Sequence, residues 1–339
     1  IRPCVGATYC LDRLYEGHEA LCLHNPATGR EATIPQVIPK AKGKKKRIVI
    51  VGAGPAGIEA ARVAGERGHE VTVFEAADEA GGQLLLALRL PRRKELKGVI
   101  DWRMSQCERL GIDLRFNTYA EASDVLAEEP DVVIVATGGV PNELPLSGGR
   151  DLVTTSWEII SGDVKPAKDV LVYDDNGGNH AGMTASEMIA QSGAHLELVT
   201  PERFFAPDLG GLNHVTYMRN FQDHDVKITI TTKLDGVKRK GNRLVATLAS
   251  EFTKKTWTRE VDQVVVEFST KPVDDLYFAL KPQSSNNGEV DHKALIFGQP
   301  QMLKSNKKGT FQLFRIGDAV AARNVHAGMY DAVRLVKDL

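Results

Sequence analysis

Six residues near position 50 have the spacing of a phosphate-binding loop. They are Gly52, Ala53, Gly54, Pro55, Ala56 and Gly57, which fit the pattern G-x-G-x-x-G. In such a loop the first glycine permits a tight turn, the second lets a pyrophosphate approach the backbone, and the third lets a helix pack closely against a strand. Glu75 lies 23 residues after Gly52, where a carboxylate can accept hydrogen bonds from an adenosine ribose. The spacing therefore predicts a binding site for an adenosine dinucleotide.

The segments around this motif supply the elements that such a site requires. Residues 47–52 (RIVIVG) are apolar and β-branched, as expected of a strand that is buried on both faces of a parallel sheet. Residues 55–67 predict a helix, and residues 70–75 (EVTVFE) predict a second strand. Strand, helix and strand form a βαβ unit. Because this context is complete, a glycine-rich turn without a ligand is the weaker interpretation.

Three further groups of residues could contact the same ligand. They are Gly82, Gln83 and Leu84 after the second strand, Ala136, Thr137 and Gly138 after a predicted strand at 131–136, and Gly317 and Asp318 after a predicted strand at 311–316. A carboxylate at position 318, ahead of a predicted helix at 327–338, can hold the ribityl hydroxyls of a flavin. An NAD-only domain has no need of it. These residues predict FAD, or its ADP portion, as the ligand.

A second set of alternating elements begins about 120 residues after the first. The predicted elements are a strand at 169–173, a helix at 183–192, a strand at 195–199, and strand-like segments at 226–231, 244–250 and 261–268. We expect the last three to form antiparallel pairs. The predicted fold class is therefore α/β, with two nucleotide-binding βαβ domains of the Rossmann type.

The elements divide the chain into three predicted parts. Residues 1–42 have no clear period and are expected to form a metal-binding or linker segment. Residues 43–165 and 300–339 are expected to form the domain for FAD or ADP. Residues 166–299 are expected to form the second domain.

This second domain lacks the glycine motif. After the strand at 169–173 the chain reads DDNGGNH at positions 174–180, without G-x-G-x-x-G. Asp174 and Asp175 follow the strand where pyrophosphate oxygens would approach, and we expect them to repel those oxygens. The sequence therefore predicts that NAD(P)H does not bind here in the usual way.

The four cysteines are unevenly distributed. Cys4, Cys10 and Cys22 lie in the first 22 residues, and Cys107 lies alone in a predicted helix at 94–110. In an intracellular chain such a cluster more often holds a metal than forms disulfides. Cys107 is expected to be a core residue.

The composition excludes several classes of protein. Lys and Arg number 43 and Asp and Glu 44, and this net charge of -1 gives no electrostatic reason to bind nucleic acid. With 42% hydrophobic and 26% charged residues, the chain is globular rather than disordered. Apolar runs are far shorter than the ~20 residues that a membrane span needs. No signal peptide is recognisable, and we predict a cytoplasmic location.

Several segments together resemble one flavoenzyme family. They are IRPCVGATYC, ALCLHNPATGRE, IVIVGAGPAGIEAA, FEAADEAGGQL and FRIGDAVAARNVHAGMYDA. They look like the C-terminal half of the family of trimethylamine dehydrogenase and 2,4-dienoyl-CoA reductase, and most of all like its dimethylglycine and N-methylproline demethylases. The resemblance implies two-dinucleotide-domain flavoprotein architecture. It also implies an FMN-binding TIM barrel, absent from this sequence, as a partner in the same polypeptide or complex.

The resemblance further implies a four-cysteine [4Fe-4S] cluster, from which this sequence departs. The family motif has a second cysteine three residues after the first, and this position is Ala7 here. A cubane cluster generally needs four thiolates, whereas Cys4, Cys10 and Cys22 supply three. With His24 they would form a Cys3His set, a common structural zinc site. We therefore predict zinc at these four residues in preference to [4Fe-4S], with a metal-free segment as the third alternative.

The sequence favours one function and leaves two alternatives open. The resemblance implies the nucleotide-binding and electron-transfer portion of a flavin-dependent oxidoreductase, which demethylates an N-methylated amine or amino acid and could pass electrons to an acceptor protein. Its catalytic residues would lie outside this chain, so none is assigned. The alternative is a non-redox module that binds ADP or FAD for stability, or a portion of an NADPH-dependent enoyl reductase.

Overall fold

The structure is a computed structural model that describes residues 2–142 and 146–339. The strands are β1 (Arg47–Val51), β2 (Glu70–Phe74), β3 (Asp113–Arg115), β4 (Val132–Val135), β5 (Gly139–Pro141), β6 (Thr154–Thr155), β7 (Asp169–Asp174), β8 (His195–Val199), β9 (Lys227–Thr229), β10 (Thr232–Lys240), β11 (Arg243–Ser250), β12 (Thr256–Val261), β13 (Gln263–Glu267), β14 (Thr270–Pro272) and β15 (Gln312–Arg315). The α-helices are α1 (Tyr9–Tyr15), α2 (Pro55–Arg67), α3 (Leu84–Ala87), α4 (Lys97–Arg109), α5 (Ala122–Ala127), α6 (Ser156–Ser161), α7 (His180–Gln191), α8 (Gly211–Asp223), α9 (Asp275–Leu280), α10 (His292–Ile296) and α11 (Val325–Val336). In these two ranges, no helix is long and apolar enough to cross a bilayer.

The first of two units contains the chain up to Leu85, residues 95–140 and residues 270–339. Its five-stranded parallel sheet has the order β15-β4-β1-β2-β3. The central strands β1 and β4 are β-branched and almost entirely buried, because helices cover both faces of such a sheet. The order reverses between β1 and β4, so the carboxyl ends of these strands flank the crevice in which dinucleotide folds bind ligands.

The second unit contains Leu86–Lys94 and Pro141–Ser269. Its parallel sheet has the order β6-β13-β7-β8-β9, with a separate antiparallel sheet β10-β11-β12. The repetition of a parallel-sheet nucleotide-binding fold, predicted from the alternating elements, is confirmed.

One prediction for this unit was wrong. The segments at 226–231 and 261–268 were expected to form antiparallel pairs, but β9 and β13 are parallel strands of the larger sheet. All five residues of β13 are buried, including the polar Gln263 and Glu267, so the strand lies in the sheet interior between β6 and β7. The antiparallel pairing belongs instead to β10, β11 and β12.

The N-terminal segment, which is part of the first unit, has few regular elements. Helix α1 is its one α-helix within residues 2–46. Leu21, Ile34 and Ile38 are buried apolar residues that attach the rest of the segment.

Candidate nucleotide-binding site

The glycine loop joins β1 to α2 at the carboxyl edge of the sheet. Gly52 has a φ of 105°, and a Cβ there would lie 2.3 Å from the Ala136 carbonyl oxygen. A Cβ on Gly57 would lie 1.9 Å from the carbonyl oxygen of Gly52. Both positions require glycine because backbone approaches backbone there. A Cβ on Gly54, in contrast, would meet no described atom within 4 Å. The loop is therefore open at the glycine that a pyrophosphate would approach.

The start of α2 is suited to an anion. Gly54 is the N-cap and contributes no side-chain cap, while Pro55 occupies the first helical position, where its missing N–H costs nothing. The remaining N–H groups of the first turn, among them those of Ala56 and Gly57, lack intrahelical acceptors. Together with the positive end of the helix dipole they can bind phosphate oxygens.

The Glu75 carboxylate lies directly after β2, next to the loop. Its Oε2 accepts a hydrogen bond from the Ala53 N–H at 2.6 Å, and its Oε1 accepts one from the Ala77 N–H at 2.9 Å. A carboxylate offers about four lone-pair sites, so two remain for ribose hydroxyls.

Asp318 lies in a 3-10 turn that follows β15. Its Oδ2 accepts a hydrogen bond from Gln83 Nε2 at 3.2 Å, and its Oδ1 accepts one from the Arg323 N–H at 3.1 Å. Burial raises the pKa of Asp318, while the Arg323 and Gln83 hydrogen bonds oppose that rise. The Gln83 amide also lies 3.4 Å from the Gly139 carbonyl oxygen, to which it donates.

The remaining predicted residues adjoin this group. Gly82 packs on the loop, since a Cβ there would lie 3.2 Å from Gly54 Cα, and Leu84 is buried at the start of α3. After β4, the Thr137 hydroxyl donates to the Val273 carbonyl oxygen. A Cβ on Gly317 would lie 3.0 Å from the Ala56 side chain. The structure thus brings the segments that contain the predicted cofactor residues to one edge of one sheet.

The predicted metal ligands are not brought together. Cys4 is exposed, Cys10 and Cys22 are half-buried, and all three are free thiols. Of the residues that the structure describes, no group of three or more His, Cys, Asp or Glu side chains could hold a metal ion.

The surroundings of His24 do not suit the predicted role of a metal ligand. It is 1% exposed, and its Nδ1 lies 3.0 Å from Nη1 of Arg103, a donor. Because Nδ1 must then accept, the proton of the neutral ring is on Nε2, which is buried and has no hydrogen-bond partner among the described residues. A metal ion at Nε2 would require this proton to move to Nδ1, which faces the Arg103 donor. Burial and the charge of Arg103 lower the pKa of His24 to about 3.

Sequence reasoning missed the buried charges that hold His24. Glu59 on α2 is fully buried and binds Arg62 through two hydrogen bonds of 3.0 and 2.7 Å. Nε of the buried Arg103 lies 2.7 Å from the same carboxylate. Burial alone would raise the pKa of Glu59, but the two guanidinium groups hold it well below its usual range. A Glu–Arg pair at i,i+3 among alanines was the available signal.

A second contact attaches the N-terminal segment to α11. Nδ1 of His326 lies 2.9 Å from the Cys22 carbonyl oxygen, and Nε2 lies 3.0 Å from Nη1 of Arg30. Since the carbonyl can only accept and the guanidinium can only donate, the ring proton is on Nδ1. Burial lowers the pKa of His326. The neutral ring therefore links Cys22 to the helix that follows Asp318.

Comparison with known proteins identifies the family. Residues 46–319 match the family model described as "Pyridine nucleotide-disulphide oxidoreductase". The chain belongs to this family. It is an oxidoreductase domain of the flavin-dependent type, as the sequence predicted.

Individual relatives agree with this placement. The whole chain is 56% identical to a probable N-methylproline demethylase from Rhizobium meliloti and covers 50% of that protein. It is 44% identical to an N,N-dimethylglycine/sarcosine dehydrogenase from Chromohalobacter salexigens, with coverage of 100% of this chain and 50% of the relative. A solved 2-naphthoyl-CoA reductase complex has a TM-score of 0.80 at 26% identity and covers 99% of this chain and 46% of its own. The family resemblance is confirmed, and the chain spans about half the length of these relatives.

Proposed function

We propose that this chain is the nucleotide-binding and electron-transfer part of an enzyme that oxidatively demethylates an N-methylated amine or amino acid. The main support for this proposal is that the open glycine loop and the carboxylates of Glu75 and Asp318 lie at the same edge of one sheet. The substrate class is supported by two relatives, whose names refer to N-methylproline and to N,N-dimethylglycine and sarcosine.

The residues present fit FAD. The space beside Gly54 and the uncapped start of α2 suit the pyrophosphate, and Glu75 has free lone pairs for the adenosine ribose. Asp318 supplies acceptors for ribityl hydroxyls, and Gln83 fixes the orientation of its carboxyl group. When bound, FAD would supply the capacity to accept two electrons and pass them on.

We assign substrate binding to the half of the longer relatives that this chain does not include, where we expect an FMN-binding barrel. There a hydride would pass from the N-methyl carbon to the flavin expected in that barrel, and water would convert the resulting iminium to formaldehyde, the demethylated amine and a proton. This chain's residues would hold the adenine nucleotide and orient its pyrophosphate. An electron-acceptor protein is the expected partner, and the cytoplasm is the expected location.

Anaerobic mixing of the intact purified polypeptide with candidate substrates tests the proposal. N-methylproline or N,N-dimethylglycine should bleach the flavin absorbance and release formaldehyde, whereas proline, which lacks the methyl group, should do neither. Bleaching by NADPH followed by reoxidation with an enoyl compound would support an enoyl reductase instead. A colourless polypeptide that releases ADP on denaturation would support the non-redox module.

A further inference from the structure

The second unit retains the layout of a phosphate loop. Strand β7 ends at Asp174, α7 begins at His180, and β8 and β13 flank β7 on opposite sides. The carboxyl end of β7 is thus the switch point of the second sheet, where a dinucleotide fold presents backbone N–H groups to pyrophosphate.

The buried carboxyl group of Asp174 is hydrogen-bonded to the backbone of this loop. Its Oδ1 accepts hydrogen bonds from the N–H groups of Asn176, at 2.9 Å, and Gly178, at 3.3 Å. A Cβ on Gly182 would lie 2.0 Å from Oδ2, so the carboxyl group rests against the first turn of α7. Asp174 is 1% exposed, and Oδ2 has no hydrogen-bond partner among the described residues. The position nearest the helix start is therefore filled by a side chain.

The outer side of the loop is covered as well. The Asp208 N–H donates to the Gly177 carbonyl oxygen at 3.0 Å. A Cβ on Gly177 would lie 2.2 Å from Asp208 Oδ2, and one on Gly178 would lie 2.3 Å from Ala206. The two glycines, with φ values of 64° and 73°, make room for another segment of the same unit.

Two buried carboxyl groups next to the loop have raised pKa values. Glu267, at the end of β13, accepts hydrogen bonds from Ser156 and from the Asn176 side chain. Burial raises the pKa of Asp174 to about 7, hydrogen bonds from Asn176 and Gly178 oppose the rise, and Glu267 adds to it. Asp175, by contrast, is exposed. Because Asp174 is largely protonated below pH 7, occupation of the N–H donors, and not charge, accounts for the exclusion of a phosphate there.

We propose that Asp174 is the internal ligand of this loop and determines its specificity. Its carboxyl group uses the N–H donors that a pyrophosphate would bind, and NAD(P)H is thereby excluded from the second unit. The expected cause was repulsion by Asp174 and Asp175 facing the ligand. The structure instead assigns the exclusion of NAD(P)H to Asp174 alone, because its carboxyl group occupies the N–H donors of Asn176 and Gly178. The inference does not depend on the substrate of the proposed demethylase.

Chemical rescue in the intact polypeptide tests the proposal. Asp174→Ala leaves the Asn176 and Gly178 N–H groups without their acceptor, so the melting temperature should fall by several degrees. Millimolar formate or phosphate should restore part of that loss in the variant, compared with chloride at equal ionic strength. Wild type and Asp223→Ala, a change at an exposed residue of α8 in the same unit, should show no such difference. An Asp174→Ala variant as stable as wild type, or one that chloride restores equally well, would contradict the proposal.

Two further measurements test the proposal even if the Asp174→Ala variant does not fold. Asp174→Asn keeps the Oδ1 acceptor, and it should fold and show no formate response. Wild type, with its first site saturated by ADP, should show no saturable NADH or NADPH fluorescence titration up to ~1 mM, a Kd that corresponds to about -4 kcal/mol. Saturation below that concentration would refute the exclusion, and a formate response in Asp174→Asn would refute the role of Oδ1.

Discussion

The Glu75 carboxylate accepts a hydrogen bond from the Ala53 N–H at 2.6 Å, which joins the end of the second strand to the loop after the first. The bond fixes the loop while the carboxylate keeps lone pairs for a ribose. Such a loop loses little conformational entropy on binding, and preorganisation of this kind increases affinity.

Replacing Glu75 with Ala should weaken nucleotide binding by ~1–3 kcal/mol, because both the ribose and the Ala53 N–H lose an acceptor. Calorimetric titration with ADP measures the change. Glu75→Gln keeps one carbonyl oxygen and serves as the control, with a smaller expected loss. Equal ADP affinity in wild type and Glu75→Ala would contradict the ribose assignment.

The substitution Asp318→Ala should weaken the binding of FAD but not the binding of ADP. The carboxylate is assigned to ribityl hydroxyls, which ADP lacks, so FAD affinity should fall by roughly tenfold or more, about 1.4 kcal/mol, with ADP affinity unchanged. The two dissociation constants, measured on the same preparation, check this. An equal loss for both ligands would place the effect of Asp318 in the folding of the loop.

Asp174→Asn should change the pH dependence of stability. The pKa of Asp174 is raised to about 7, above its value in the unfolded chain, so the folded protein binds an extra proton between about pH 4 and 7. The free energy of unfolding from this group therefore falls as pH rises through that window, by at most ~1.4 kcal/mol per pH unit, and levels off above it. We therefore expect denaturant unfolding at pH 5, 6.5 and 8 to show that the free energy of unfolding of the variant rises relative to that of wild type as the pH increases.

Asp223→Asn is the matched control for that experiment, and its curve should run parallel to that of wild type. Glu267, whose pKa burial also raises, contributes with the same sign in all three proteins. A constant difference between Asp174→Asn and wild type across the three pH values would show that Asp174 does not hold a proton in the folded state.

His24→Leu should lower stability without changing metal content. The substitution leaves an Arg103 N–H without its Nδ1 acceptor, which costs ~1–3 kcal/mol in a buried site. Elemental analysis for zinc and iron, with an assay for acid-labile sulfide, should give the same values for variant and wild type. Loss of one equivalent of zinc in His24→Leu, matched by Cys22→Ser, would restore the Cys3His prediction.

Local patterns were sufficient to predict the first βαβ unit. The run before Gly52, the helix from Pro55 to Arg67 and the strand that ends before Glu75 have bounds within one residue of those expected. Each depends on neighbours in sequence, namely β-branched runs, a glycine turn and a proline at the first helical position.

Contacts between residues far apart in sequence explain what the sequence did not reveal. His24 looked like a ligand because Cys22 is two residues away, but its partner is Arg103, 79 residues later. Nothing in the sequence around Asp174 indicates that Ala206 and Asp208 cover its loop. The parallel pairing of β13 likewise depends on β7, nearly a hundred residues earlier. Spacing identifies candidate groups, whereas packing decides which of them remain accessible.

The position of β15 beside β4 has a consequence for synthesis on the ribosome. Val133 pairs with Leu313, so β4 remains an unprotected edge until the intervening chain, including nearly all of the second unit, has been made. At ~5–20 residues per second, that interval is on the order of ten seconds or more. An apolar edge exposed for so long can pair with other chains. Nascent chains that stop before β15 should therefore bind chaperones strongly, and release should coincide with the emergence of residues 312–315.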